Sequence, residues 1–179
     1  MKKVIAIVIC LVLVPGIFTG CGEKEQESKH TGSGLTAEEI LDSFEGWMAD
    51  TEMVNDYTVT RLPGVELPDT GETYHAIVVK DNLLDYSYHM SVYATPEGKA
   101  YRASINHNAD GYGYLAFSTF CLYLVRSIGL TEVDGFELCD QLGLMSMEPE
   151  GMVTVEGWEL WAFHFNGSLS FTATYKPES

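Results

Sequence analysis

Positive charge is scarce in this sequence. Its 179 residues hold ten Lys and Arg against 26 Asp and Glu, a net charge of −16. Such a surface repels phosphate backbones, so nucleic acid is excluded as a partner. An anionic bilayer repels it too, so attachment to a membrane requires an anchor. Short catalytic signatures are missing as well: there is no G-x-S-x-G, no S-x-x-K with companion elements and no phosphate-binding loop. The histidines His75, His89, His107 and His164 follow no H-E-x-x-H or other close ligand spacing. Carboxylates are plentiful, but none forms a pair that spacing identifies as acid and base. No metal and no cofactor are expected.

Long apolar runs are few. The first is Val4–Val14, preceded by Lys2 and Lys3 and ended by Pro15-Gly16. It is short for a membrane span and reads as the apolar region of a secretory signal. It leads into Phe18-Thr19-Gly20-Cys21. These residues resemble the lipobox of bacterial lipoproteins, with Thr19, Gly20 and Cys21 matching it and Phe18 standing where Leu is usual. The resemblance implies that residues 1–20 are a signal peptide and that Cys21 is acylated as the mature N-terminus. It further implies a cell-membrane protein, lipid-anchored on the extracytoplasmic side, whose partner is the bilayer through Cys21. Acyl chains contribute about 0.8 kcal/mol per buried methylene, and two or more hold a soluble domain at a membrane. Residues 21–34 follow with no apolar side chain after Cys21, and are expected to be a flexible polar tether. His30 is read as a solvated residue of that tether.

The second run is Tyr112–Leu130. At helical spacing Leu115, Phe117, Phe120, Cys121, Leu124, Val125 and Ile128 cover almost the whole circumference, which predicts a buried helix. Arg126 and the hydroxyl side chains argue against a membrane span. Residues 35–179 are expected to form a single domain around this helix.

Thr36-Ala-Glu-Glu39 is a capping box. It opens a helix to about Asp50, with Ile40, Leu41, Phe44 and Met48 on one stripe. Strands are expected at Tyr57–Leu62, Thr73–Lys80, Asp85–Ala94 and Ala100–His107. A short helix is expected at Val133–Leu142, then strands near Met152–Glu156, Trp158–Phe165 and Ser168–Tyr175. The fold class is α+β, with a mostly antiparallel sheet of about seven strands against an N-terminal and a central buried helix, in the order α-ββββ-α-α-βββ.

Alternation sets the registers. A four-residue loop Thr95–Gly98 pairs Ala94 with Lys99 and Val92 with Tyr101. A three-residue loop would mix apolar and polar residues on one face. A two-residue turn at Asp81-Asn82 puts His75 and His89 on opposite faces. Asn166-Gly167 pairs Phe165 with Ser168. One sheet face then carries His89, Tyr93, Arg102, Trp161 and Phe163. Two readings of it compete. As a recognition surface, it makes the chain a non-catalytic binding or structural module for a protein or small molecule. Covered by the first helix, its Trp161 and Phe163 are core, and this is the arrangement favoured by the pattern. An alternative function is an extracytoplasmic hydrolase using acids or histidine in a cleft, which needs a pocket uniting groups such as His89, Arg102 and an acid.

Asn106-His-Asn108-Ala-Asp110-Gly111 matches the first half of an EF-hand loop, but the twelfth position is Phe117 and not Glu. The expectation is a strand-to-helix connection capped by Asp110 or Asn108. Cys121 and Cys139 are expected as small buried thiols, although an exported protein meets conditions in which they are permitted to pair.

Overall fold

The computed structural model describes residues 30–51, 56–84, 86–108, 113–146 and 149–177. Cys21, residues 1–20 expected to form a signal, and Asp110 lie outside them. The described chain is a mixed α+β domain. Its elements are α1 (Ala37–Asp50), β1 (Tyr57–Glu66), β2 (Thr73–Asp81), β3 (Ser87–Ala94), β4 (Ala100–Asn108), α2 (Tyr114–Ser127), α3 (Gly135–Gln141), β5 (Glu150–Val155), β6 (Trp158–Phe165) and β7 (Ser168–Tyr175). The strands form one antiparallel sheet ordered β1-β2-β3-β4-β7-β6-β5.

The helices share one face of the sheet. On α1 the capping box forms: Thr36 Oγ1 accepts the Glu39 amide, and the Glu39 carboxylate accepts the Thr36 amide at 2.7 Å. Its stripe of Ile40, Leu41, Phe44 and Met48 is buried with Ile77, Met90 and Val92 of the sheet. Each such side chain, taken fully out of water, contributes about 1.5–3 kcal/mol. Phe44, Tyr57, Tyr88, Phe120 and Tyr123 form an aromatic chain between the helices and the strands, with ring centroids 4.7–6.2 Å apart.

The central helix α2 is buried on most sides, and its buried hydroxyls are satisfied locally. Ser127 donates to the Tyr123 carbonyl at 2.7 Å, and Ser118 donates to those of Tyr114 and Leu144. Leu115 departs from expectation and is 56% exposed. Its helix begins at Gly113 with no side-chain cap, and Asn108 instead accepts a hydrogen bond from Ser168 at 3.0 Å.

Two registers differ from those expected, and each keeps the apolar set together. The β3–β4 loop is the three-residue Pro96–Gly98. Thr95 faces Lys99 and donates to its carbonyl at 2.8 Å, with Gly98 at φ +80°. Parity would be lost there, but a bulge beside Ala94 inserts Tyr101 and restores it. Val92 therefore meets Ala103, Met90 meets Ile105 and Tyr88 meets His107. Tyr101, expected on the core face, leaves it: its hydroxyl donates to Glu72 at 2.9 Å and its ring lies 6.3 Å from Tyr93. The β2–β3 connection is longer than the expected two-residue turn. Ile77 meets Met90 and Val79 meets Tyr88, with His75 and His89 still on opposite faces. β1 continues past Pro63 through a second bulge, which an edge strand tolerates. The β6–β7 hairpin pairs Phe165 with Ser168 as expected.

The expected tether ends short of Gly34. Ser33 is 7% exposed and donates to the Ala100 carbonyl at 2.7 Å, and Ala100 donates to the Leu35 carbonyl. His30 is exposed, and its ring also stacks on Tyr101 at 4.3 Å, nearly parallel.

Candidate functional site

The opposite face of the sheet carries the five residues singled out by alternation, and among the described residues no helix packs on it. The expectation that α1 covers it is wrong. The α1 stripe is wholly apolar and is spent on the other face, where α1 also packs against α2. Arg61, on the α1 side of β1, holds the helix there by donating to Glu38, Asp42 and Glu45 at 2.5–2.8 Å.

The registers place the residues of the open face in rows across the strands. In the first row Tyr74 meets Tyr93, Tyr93 meets Arg102, and Arg102 meets Thr174. The Arg102 guanidinium lies 5.8 Å from the Tyr93 ring centroid, a cation–π contact, and the Tyr74 and Tyr93 rings are 5.1 Å apart. The second row runs Ser91, Ser104, Thr172, Trp161, Met152. The third runs His89, Asn106, Ser170, Phe163, Glu150. Small hydroxyl side chains thus floor the middle of the sheet, between tyrosines on one side and larger apolar groups on the other. Three of them are bonded within the sheet: Ser91 and Ser104 are 2.8 Å apart, and Ser170 donates to the Asn106 side chain.

The five expected residues therefore form two groups and not one. Tyr93 and Arg102 touch. Trp161 and Phe163 touch, with centroids 4.5 Å apart, three strands from β3. His89 lies two rows from Arg102, next to Asn106. Burial, with His107 nearby, lowers the basicity of His89. Burial likewise raises the Tyr74 and Tyr93 phenols. The register thus separates His89 from Arg102 and does not join them in one site. A shallow cavity of about 200 Å³ is lined on the far side by Val133, Asp134, Glu137, Leu138, Gln141 and Val155. The Asp134 carboxylate in it caps α3 by accepting the Phe136 and Glu137 amides.

Three members of the face escaped the sequence reading. Met152 is 64% exposed opposite Trp161, and Phe165 is 59% exposed on the same side of β6. Tyr74 completes the tyrosine pair. Parity along β6 already contained Phe165. Placing Met152 needs the β5–β6 turn at Glu156-Gly157, where Glu156 takes a positive φ that its residue type does not advertise. With Trp161 at 49% exposure, Met152, Trp161, Phe163 and Phe165 make a continuous apolar patch on the open face.

No group of His, Cys, Asp and Glu among the described residues has the geometry to hold a metal ion. Among them, no helix is long and apolar enough to cross a membrane. Comparison with known proteins adds no relative: no family model, no curated protein and no solved structure matches the chain.

Proposed function

We infer that the chain is a membrane-anchored lipoprotein of the extracytoplasmic side, and that its domain is a non-catalytic binding module whose recognition surface is the open sheet face. The observation that supports this reading is the placement of Trp161. A large aromatic left half-exposed in the middle of β6, beside Phe163, Phe165 and Met152, has no role in the core below it. Contiguous exposed apolar groups of this kind mark interaction sites, and Trp is prominent among residues that carry binding energy. The anchor rests on Thr19-Gly20-Cys21, with the bilayer as partner through acylated Cys21.

Two experiments test the two halves. Mass spectrometry of the membrane-bound protein should find the mature N-terminus at Cys21 carrying acyl chains, and palmitate labelling should vanish in Cys21→Ser. An unmodified mature N-terminus at another residue would overturn the anchor. Hydroxyl-radical footprinting should find Trp161 and Phe163 less oxidised in native membranes than in the purified chain. Equal oxidation in both would overturn the recognition surface.

A further inference from the structure

We propose that the open sheet face seats directly on the bilayer that holds Cys21, with Trp161, Phe163, Phe165 and Met152 in its interfacial layer. The proposal names the partner of the surface described above and rests on the lipid anchor inferred there.

Three observations converge on a lipid surface. The first is where the chain leaves the domain. His30 stacks on Tyr101, and Tyr101 lies beside Tyr93 of the open face, outside the helix-covered core. The segment from Cys21 to Lys29 is nine residues, which span at most about 30 Å however they are arranged. Seven strands about 4.8 Å apart make a face of similar width. The anchor therefore holds this side of the domain within one domain width of the membrane, at high effective concentration.

The second is the segregation of charge. Glu38, Glu39, Asp42, Glu45 and Asp50 lie on α1, and Asp134, Glu137 and Asp140 lie in or next to α3, all in the helical layer. The open face holds Arg102 and Lys80 against Glu72, Glu150 and Glu159; Glu72 accepts from the Tyr101 hydroxyl at 2.9 Å, and Glu159 is paired with Lys176 at 2.8 Å. An anionic leaflet repels the helical layer and leaves the open face as the approach of least repulsion.

The third is the chemistry of the side chains. Trp and Tyr concentrate at membrane–water interfaces, where one end is apolar and the other wet. A sugar or other polyhydroxylated ligand would need several hydrogen-bonding groups beside the aromatics, and next to Phe163 the third row supplies one carboxylate, Glu150. Here Ser91, Ser104, Ser170 and Thr172 are each at most 9% exposed, and Ser91, Ser104 and Ser170 are already bonded within the sheet.

The test uses the full chain, expressed in a bacterium that acylates lipoproteins. It is reconstituted in vesicles of phosphatidylcholine and phosphatidylglycerol with brominated acyl chains. Bromine quenches only indoles at the bilayer. Trp158 is 3% exposed within the core, and Trp47 lies under Arg126 in the helical layer. The wild-type chain should float with the vesicles and show quenching, and Trp161→Phe should float equally and lose most of it. Flotation without quenching overturns this proposal and leaves the anchor standing. Failure of the wild-type chain to float overturns both. Absence of quenching together with a cross-linked dimer in the same vesicles would put a second copy on the face and overturn the proposal.

Discussion

Replacing Gly151 with Ala should destabilise the domain, and replacing Gly46 with Ala should stabilise it. Gly151 lies on edge strand β5, where it passes the end of α3. A Cβ there would sit 2.5 Å from the Gln141 carbonyl oxygen and 2.6 Å from Leu142 Cα. Both are backbone atoms, so no side-chain rotation relieves the overlap. Either the last turn of α3 moves, straining the bond from Ser118 to the Leu144 carbonyl, or β5 moves off β6 and carries Met152 out of the apolar patch. Overpacking of this kind costs about 1–3 kcal/mol. Gly46 lies inside α1 and is exposed, and a methyl group added there would meet nothing within 4 Å. Its replacement by a better helix former gains about 0.5–1 kcal/mol. At about 2–4 °C per kcal/mol for a domain of this size, Gly151→Ala should lower Tm by about 2–12 °C and Gly46→Ala raise it by about 1–4 °C. Urea unfolding gives the free energies, and hydrogen exchange locates the damage in β5 or in the last turn of α3. An unfolding midpoint for Gly151→Ala at or above that of the wild type would refute the close approach of strand and helix.

Arg61→Met should cost about 1 kcal/mol, a modest amount because the guanidinium is a third exposed, and the loss should shrink in high salt as the repulsion among Glu38, Asp42 and Glu45 is screened. Thiol titration should find Cys121 and Cys139 unreactive in the native domain and both free after unfolding without reductant. Both are buried, and burial pushes the Cys121 thiol well up; fewer than two free thiols on unfolding would contradict this. Stability should fall as pH drops below about 6.5, because His89 is held less basic in the folded state than in the unfolded chain, which then binds the extra proton. His89→Asn should flatten that part of the profile, and an unchanged slope would refute the assignment.

Much of the fold was legible because local signals agreed with the global arrangement. The Thr36–Glu39 box, the Asn166-Gly167 turn and the alternation of β6 and β7 each fixed an element or a register with few alternatives. The β3–β4 register was not legible. It depends on two compensating irregularities, a three-residue loop and a bulge at Tyr101, and alternation reports only their sum. The side of the sheet taken by α1 was also hidden. Both faces carry aromatics, and only the ion pairs from Arg61 and the packing of α1 on α2 separate them. The candidate face was read as one set of residues because parity places side chains on a face but not along it. His89 and Arg102 share the face and stand two rows apart. The docking of His30 on Tyr101 escaped the sequence reading because a polar segment with a lone histidine carries no pattern at all.

The central claim is that the open sheet face is the working surface of the protein in its membrane. Two methionines of similar exposure make the most direct test. Met152 is 64% exposed within the patch on that face, and Met145 is 57% exposed beyond the end of α3. Mild peroxide oxidises accessible thioethers to sulfoxides, and peptide mass spectrometry reads each site separately. In the purified chain the two should oxidise at similar rates. In native membranes Met152 should be protected while Met145 is not. Equal oxidation of the two in both preparations, or protection of Met145 in place of Met152, would contradict the account.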